Sequence, residues 1–215
     1  MKAPDRELVQ DKLTESQALS LTKVPEAFFR REATLVAPDM LGLILVHHNE
    51  EGVTAGIITE AEAYQGPEDR ACHAYNWTRT PRNEPLYGPP GYSYVYFCYG
   101  MHYLFNVVTM EEGVPHGVLV RSLQPVTGQA LMLKRRRGRT PLAQGPGRLC
   151  QAMGIGRLQN GVNLRSDRLF IAYPPQTPQN LVPEFFVKIT PRIGVDYAGE
   201  AKDYPWRFVL QPKSG

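Results

Sequence analysis

Two glutamates and a tyrosine alternate along one short segment of this chain and could carry out acid–base chemistry together. The segment from Thr59 to Tyr64 reads T-E-A-E-A-Y, and a β-strand turns successive side chains to opposite faces. A strand here would place Glu60, Glu62 and Tyr64 on one face and two small alanines on the other. A carboxylate in that position can be a general base, a metal ligand or a solvated surface group, and the strand pattern leaves all three open.

A histidine and a further carboxylate follow this strand and raise the question of a metal site. His73 lies nine residues past Tyr64, with Asp69 between them, so that Glu62, Asp69 and His73 could form a carboxylate–histidine site. Their spacing matches neither the paired histidines of a metal-binding helix nor the histidine–glutamate motif followed by CxxC. Metal-dependent hydrolysis is therefore the weaker alternative, and we predict neither a metal nor an organic cofactor.

An aromatic segment of sixteen residues runs from Gly91 to Asn106. It contains seven aromatic residues, five of them tyrosines, and the alternation in its first half predicts a β-strand. Tyr99 and Gly100 interrupt the pattern and predict the turn of a hairpin, whose second strand runs from Met101 to Thr109. Flat, stiff rings beside such a turn suit stacking on a nucleic-acid base. The alternative is that the same rings line a core.

The charge is distributed unevenly along the chain. The formal net charge is only +3, yet the stretch from Gly113 to Ser166 contains nine basic residues and no Asp or Glu. Such a block creates an electrostatic potential that attracts phosphates. The run from Lys134 to Arg137 could by itself be a solvated loop, but the long acid-free stretch around it favours a nucleic-acid partner.

The composition is that of an ordinary globular domain. The 215 residues are 42% hydrophobic and 21% charged, which is enough to bury a core. No apolar run approaches the roughly 20 residues of a membrane span, and the polar N-terminus lacks the apolar core of a signal peptide. Three widely spaced cysteines suit a reducing compartment. We therefore expect a cytoplasmic protein without membrane contact, nucleoid-associated in a bacterium or nuclear in a eukaryote.

The elements expected around these motifs are mostly short strands. The sequence predicts a polar, loosely attached arm over residues 1–24, partly helical from Glu7 to Leu21. It predicts one domain over residues 25–215. A helix is expected from Phe28 to Leu41 with an interruption near Pro38, and two more over Gly128–Arg137 and Gly145–Met153. Besides the hairpin, strands are predicted at Leu43–His47, Val53–Tyr64, Gly117–Leu123, Leu169–Ala172, Phe185–Thr190 and Trp206–Leu210. The pattern predicts an antiparallel α+β fold, with a functional loop from Gly66 to Gly91.

Seven sequence blocks stand in an order typical of one enzyme family. The longest are E-A-E-A-Y-x-G-x-x-D-x-x-x-H from Glu60, G-P-P-G-Y-x-Y-V-Y-x-x-Y-G from Gly88, G-P-G-R-L-C-Q-A-M-G-I from Gly145 and R-I-G-V-D-Y-A-G-E from Arg192. The shorter blocks are Arg82-Asn83, Asn106–Val108 and Leu119–Pro125. Together, over about residues 25 to 210, they resemble the alkyladenine (3-methyladenine) DNA glycosylase family.

The resemblance implies a fold and an activity. The fold would be a single α+β domain with a curved antiparallel sheet, flanking helices and a protruding hairpin, similar to the C-terminal domain of formyltransferases. A monomer would bind double-stranded DNA through the minor groove and flip out an alkylated purine for base excision repair. Water attack on the N-glycosidic bond would release 3-methyladenine or 7-methylguanine and leave an abasic site, with hypoxanthine and ethenoadenine as further candidate lesions. No lysine near the pocket motifs fits a Schiff-base role, which favours a monofunctional enzyme.

The resemblance also implies roles for individual residues. Glu62 would be the general base, and Arg121 would lie beside the attacking water and a phosphate. The residues expected to bind the extruded base are Tyr64, His73, Tyr96 and Asn106. The residues expected to contact DNA are Tyr99, which would fill the gap left by the flipped nucleotide, and Gly100, Met101, Arg82, Arg136 and Arg148. Only the resemblance, and not the strand pattern, selects Glu62 over Glu60 as the base.

Two departures from the family pattern concern the lesion pocket. Leu86-Tyr87 replaces the Met-Phe usual before the Gly-Pro-Pro-Gly turn, and Trp77-Thr78-Arg79 occupies a loop where the family often has glycine. Either could reshape the pocket. A catalytically silent nucleic-acid-binding relative would keep the hairpin and the basic surface, but the presence of Glu62 and Arg121 argues against it.

Overall fold

An antiparallel β-sheet is the centre of the protein. The computed structural model describes residues 11–98, 100–175 and 185–212. Over these residues the sheet has eight strands, in the order β3-β4-β5-β2-β1-β6, with β8 paired to β2 and β7 paired to β8. The strands are β1 (Ile44–Asn49), β2 (Gly52–Tyr64), β3 (Ser93–Cys98), β4 (His102–Thr109), β5 (His116–Thr127), β6 (Leu169–Ala172), β7 (Phe185–Thr190) and β8 (Arg207–Pro212).

The central strand β2 is held on both edges. β5 pairs along one edge, while the other edge pairs first with β1 and then, from Glu60 to Glu62, with β8. Irregular register around Glu60 marks a bulge in the β2–β5 ladder, and bulges re-aim side chains where a strand bends. Because the backbone at Glu62 is paired on both edges, its side chain starts from a fixed position.

In the described ranges, five short helices cover the sheet. They are α1 (Glu15–Leu19), α2 (Glu26–Phe29), α3 (Ala33–Asp39), α4 (Gln129–Arg135) and α5 (Pro146–Met153). The main core packs Phe29, Val36 and Leu149 from these helices against Leu45 and Ile58 of the sheet. A smaller core on the other face of β1 and β6 contains the α1 residue Ala18. Alternate residues of β1 therefore enter different cores, as the strand period requires.

The described part of the expected N-terminal arm is packed on the sheet rather than loosely attached. Leu13 and Ala18 are buried, and the Leu13 N–H donates to the Val126 carbonyl at 3.0 Å. Thr14 begins α1 with a capping box, which satisfies N–H groups at the start of a short helix. Two buried apolar residues in a polar segment leave too weak a sequence pattern to predict this docking. Residues 1–10 lie outside the described residues, and the division at residue 25 stays a prediction.

The helix expected from Phe28 to Leu41 is broken earlier than predicted. It forms α2 and α3, separated at residues 30–32, and Pro38 lies within the last turn of α3. The Met110 N–H donates to the carbonyls of Phe29 and Arg31 at the break. This contact comes from the residue that follows β4, far along the chain, so local proline rules could not have located the interruption.

The fold class follows the expectation. The described chain is one α+β domain with an open antiparallel sheet and few helices, and β3 and β4 form the predicted hairpin. The expected loop from Gly66 to Gly91 contains three 3₁₀ turns, at Gly66–Glu68, Tyr75–Trp77 and Glu84–Tyr87. The sheet curvature and the likeness to formyltransferases stay predictions. No helix in the described ranges is long and apolar enough to cross a membrane.

Candidate active site

Glu62 is a completely buried carboxylate held by three hydrogen bonds. Its Oε2 accepts from the Tyr64 hydroxyl at 3.0 Å and from Arg121 Nη1 at 3.1 Å. Its Oε1 accepts from the Ile193 N–H at 2.8 Å. Burial raises the pKa of Glu62, and the opposing effects of Arg121 and of the Ile193 hydrogen bond do not cancel it. The site thus holds a carboxylate that is more basic than one in water.

Glu60 lies on the same face but in a different electrostatic setting. Its carboxylate accepts from Arg121 Nε at 2.9 Å, from Arg207 Nε at 2.6 Å and from the Ser122 hydroxyl at 2.9 Å. Burial alone would raise the pKa of Glu60, but the two arginines and Ser122 together outweigh burial and lower it. A carboxylate saturated by cations is a weak base, so the geometry distinguishes two glutamates that the strand pattern did not.

A pocket of about 500 Å³ lies beside Glu62. Tyr64, Arg121 and Ile193, the three residues that hydrogen-bond the Glu62 carboxylate, all line it, so this carboxylate lies directly behind the pocket wall. The remaining predicted base-binding residues also line the pocket, namely His73, Tyr96 and Asn106. Residues more than 60 positions apart in the chain are thus brought to one cavity, whose volume is typical of small-molecule sites.

Aromatic rings form one wall of this pocket. The His73 and Tyr96 rings lie 4.6 Å apart edge to face, and Tyr94 lies 5.2 Å from Tyr96. His73 Nδ1 is 2.8 Å from the Tyr94 hydroxyl. Although His73 is exposed overall, desolvation of its imidazole, aided by nearby Arg82, lowers the pKa of His73 to about 4. This histidine is therefore neutral near neutral pH.

Asn106 is fixed at the floor of the pocket by its neighbour across the hairpin. It pairs with Tyr94 in the β3–β4 ladder, and its Nδ2 donates to the Tyr94 carbonyl at 3.0 Å. Asn106 is buried, so its orientation is set by the strand pairing. The hairpin thus supplies both the aromatic wall and this amide.

A buried ion pair that the sequence did not reveal supports the pocket from behind. Both Nη atoms of Arg192 bind the Asp69 carboxylate, and the two side chains are completely buried. Arg192 also donates to the carbonyls of Ala63 and Ala201 at 2.9 and 3.0 Å. The pair ties the end of β2 to the loop before His73 and to the C-terminal segment. Its partners are 123 residues apart, and only the family motifs, which contain both residues, offered a signal for it.

The predicted DNA contacts at the hairpin turn lie beside the pocket. Gly100 has φ +67° and open space where a Cβ would stand, and Met101 is 70% exposed. Arg82 donates to the Phe97 carbonyl at 3.1 Å and lies 5.5 Å from the Tyr96 ring centroid. Tyr99 lies outside the described residues, so its expected role stays a prediction.

The two predicted DNA-binding arginines near α5 have different surroundings. Arg148 is exposed and donates to the Gln144 carbonyl at 3.3 Å. Arg136 is only 8% exposed and donates to Gln151 Oε1. Arg135, in the same basic run, binds Glu51 at 2.9 Å. Two of the four side chains in the run from Lys134 to Arg137 therefore bind other residues of the protein, which a count of charges could not indicate.

The two departures from the family pattern fall at different places. Leu86 lines the pocket, whereas Trp77, at φ +60°, is exposed on the loop. The alternative metal site is not assembled, since Asp69 binds Arg192 and His73 contacts Tyr94. In the described ranges, no group of three or more histidine, cysteine, aspartate or glutamate side chains could hold a metal ion.

Comparison with known proteins identifies the family. Residues 27–214 match the family described as methylpurine-DNA glycosylase. Three relatives carry the provisional name 3-methyladenine DNA glycosylase. The one from Chlamydia abortus is 44% identical over 198 residues, covering 89% of this chain and 100% of the relative. Those from Desulfitobacterium hafniense and Clostridium acetobutylicum are both 42% identical, covering 89% and 88% of this chain and 96% and 94% of the relatives. The chain therefore belongs to the methylpurine-DNA glycosylase family.

Proposed function

We propose that this protein is a monofunctional DNA glycosylase that flips alkylated purines out of duplex DNA and hydrolyses their N-glycosidic bond. Family membership makes it a DNA glycosylase, a hydrolase of base excision repair. The observation that carries the finer proposal is the buried Glu62, with its raised pKa, directly behind an aromatic pocket. 3-Methyladenine and 7-methylguanine are the proposed substrates, and hypoxanthine and ethenoadenine are further candidates.

The aromatic wall supports the flipping step. A base inside a duplex is out of reach, and extruding it costs a few kcal/mol. Stacking on an aromatic side chain contributes roughly 1–3 kcal/mol per base, so contacts with Tyr64 and Tyr96 are of the right size to offset extrusion. The hydroxyls of both tyrosines remain protonated, because burial raises the pKa of each.

The aromatic and neutral part of the pocket lining suits a cationic base, although Arg82 and Arg121 also line the pocket. Alkylation at a ring nitrogen gives the purine a positive charge, which is attracted to the faces of electron-rich rings. His73 is neutral near neutral pH because of its lowered pKa, so this imidazole does not repel the lesion. Asn106 then offers a neutral amide at the pocket floor.

Glu62 is proposed to activate the attacking water. The bond between C1′ and the purine nitrogen breaks, and its electron pair neutralises the cationic ring. The water oxygen bonds to C1′, and its proton passes to Glu62. Three donors occupy the carboxylate, which offers about four lone-pair sites, so one acceptor site has no donor. Because Glu62 is completely buried, the attacking water must gain access to that site from the pocket when DNA is bound. General-base assistance is worth roughly 10²–10⁴-fold, and the negative charge also stabilises an oxocarbenium-like transition state.

The DNA is proposed to lie across the hairpin, with the turn in the minor groove and the protein acting as a monomer. Exposed Met101 and the cation of Arg82 beside the pocket support this placement. By resemblance, Tyr99 would fill the gap left by the flipped nucleotide. Tyr99→Ala should then weaken duplex binding and slow excision. Equal affinity and rate in the parent and the variant would show that Tyr99 does not fill this gap.

The test uses duplex oligonucleotides that each carry one modified purine, incubated in excess chelator and then treated with alkali. We expect strand cleavage that depends on alkali at an alkylated purine, and none with Glu62→Gln. Cleavage without alkali would contradict a monofunctional enzyme. Tight binding without any cleavage would instead indicate a silent DNA-binding relative.

A further inference from the structure

The guanidinium of Arg192 stacks on the Tyr64 ring. Its Cζ lies 4.7 Å from the Tyr64 ring centroid and 5.0 Å from that of Trp206. Among the described residues, Tyr64 lines the pocket and Arg192 does not, while Arg192 is only 5% exposed. The ring therefore separates a buried cation from the cavity that would receive the base.

Asp69 balances this cation. Its two oxygens bind the two Nη atoms of Arg192, and they also accept the N–H groups of Gln65 at 3.2 Å and Ala71 at 3.0 Å. Both side chains of the pair are completely buried. The wall behind Tyr64 is thus close to neutral as a unit, although it contains a full positive charge nearest the ring.

We propose that the Arg192–Asp69 pair sets how strongly the pocket prefers cationic over neutral bases, acting through the shared Tyr64 ring. This inference rests on the proposed function, since it assumes a base stacked on Tyr64. An aromatic face attracts a cation through the ring quadrupole, and a cation on the opposite face repels the cationic base. Asp69 cancels that repulsion, so the ring remains an effective platform for an alkylated purine.

The size of the effect follows from the geometry. A base stacked about 3.5–4 Å from the ring would lie roughly 8 Å from the guanidinium, given its 4.7 Å distance on the other side. At an effective dielectric constant of about 20, two unit charges at that separation change an equilibrium by about thirtyfold. Relaxation and water reduce this value, so we expect about tenfold when the pair is unbalanced.

Two probes of the same shape isolate the charge. One duplex carries 7-methylguanine, at a slightly acidic pH where the base is cationic, and the other carries the neutral 7-methyl-7-deazaguanine. Binding of both is measured in a Glu62→Gln background, so that the cationic base stays in the DNA. The readout is the ratio of the two affinities, which a merely structural role of the pair would leave unchanged.

Three changes in that background give different expected ratios. Asp69→Asn leaves the guanidinium unbalanced and should lower the preference for the cationic base about tenfold. Arg192→Met removes the positive charge behind the ring, while Asp69 keeps its Gln65 and Ala71 N–H donors, and it should raise the preference. The double variant, Asp69→Asn with Arg192→Met, should return to the parent ratio.

The outcomes separate this inference from the proposed function. The two single variants should change the affinity ratio in opposite directions. Either variant that folds is therefore enough to test the role of the pair. Equal losses of affinity for both probes, in every variant, would overturn the role of the pair. If the protein with Glu62 intact excised no alkylated purine, the proposed function would fail, and this inference would fail with it.

Discussion

Removing Arg121 should move the acid limb of the pH–rate profile for excision to higher pH. Arg121 Nη1 lies 3.1 Å from Glu62 Oε2. Burial raises the pKa of Glu62, and Arg121 is the group that lowers it most. In Arg121→Met the charged form of the carboxylate loses this partner, so the pKa of Glu62 rises further above its ordinary value of 4.5. The general base must be deprotonated, and the reaction therefore requires a higher pH.

The magnitude follows from the distance. The charges are spread over the guanidinium and the carboxylate, so their centres lie farther apart than the 3.1 Å contact. Two unit charges about 4 Å apart interact by about 4 kcal/mol at an effective dielectric constant near 20. One pKa unit corresponds to about 1.36 kcal/mol, which gives an upper limit of about three units. An arginine next to a carboxylate typically shifts its pKa by 1–3 units. On the acid side of the profile, the variant should thus be about 10- to 1000-fold slower, and its deficit relative to the parent should shrink as the pH rises.

The assay is single-turnover release of 3-methyladenine from methylated duplex DNA, corrected for loss without enzyme, across a series of pH values. Arg207→Met is the matched control, because Arg207 binds Glu60 at 2.6 Å rather than Glu62 and its removal should shift the limb far less. Each variant is first checked by thermal unfolding, since breaking a buried ion pair is costly. An unmoved acid limb in Arg121→Met, or the same shift in Arg207→Met, would show that the contact with Arg121 does not set the pKa of Glu62.

Three further predictions concern the packing of the hairpin, the DNA contacts and metal dependence. A Cβ on Gly147 would stand 2.8 Å from His102 Cγ at the start of β4. Gly147→Ala should therefore destabilise the fold by about 1–3 kcal/mol and lower its thermal midpoint. Gly156→Ala, where the nearest contact of the added Cβ is 3.7 Å away, should leave the midpoint unchanged. Arg148→Ala should reduce the slope of the logarithm of DNA affinity against the logarithm of salt concentration by about one unit. Arg136→Ala, at a site that is only 8% exposed, should mainly lower the thermal midpoint. Equal salt slopes for the parent and Arg148→Ala would exclude a phosphate contact by Arg148. Excision should proceed at an unchanged rate in excess chelator, and a loss that added metal restores would contradict the metal-free mechanism.

Local patterns in the sequence predicted much of the scaffold. Alternation in T-E-A-E-A-Y correctly separates Glu60, Glu62 and Tyr64 from two core alanines, because the strand period acts over a few residues. The aromatic hairpin is predicted by the same alternation, and the helix over Gly145–Met153 is predicted by a proline near its first turn; the structure contains both. Short-range rules suffice where the backbone alone decides the structure.

Long-range contacts account for what the sequence could not predict. Nothing in a local pattern pairs Arg192 with Asp69, or places the Ile193 N–H on Glu62, since these contacts join segments more than 120 positions apart. The choice between Glu60 and Glu62 likewise depends on which arginines the fold brings to each carboxylate. Composition marked a basic run but could not indicate that Arg135 and Arg136 are bound within the protein.

The catalytic role of Glu62 is tested by comparing Glu62→Gln with Glu60→Gln. Both variants remove one negative charge from the same strand face and keep the side-chain shape, but only Glu62 is hydrogen-bonded to pocket-lining residues on both of its oxygens. We predict that Glu62→Gln abolishes single-turnover excision of 3-methyladenine while duplex binding persists, and that Glu60→Gln retains substantial excision. Excision at the wild-type rate by Glu62→Gln would show that Glu62 is not the general base.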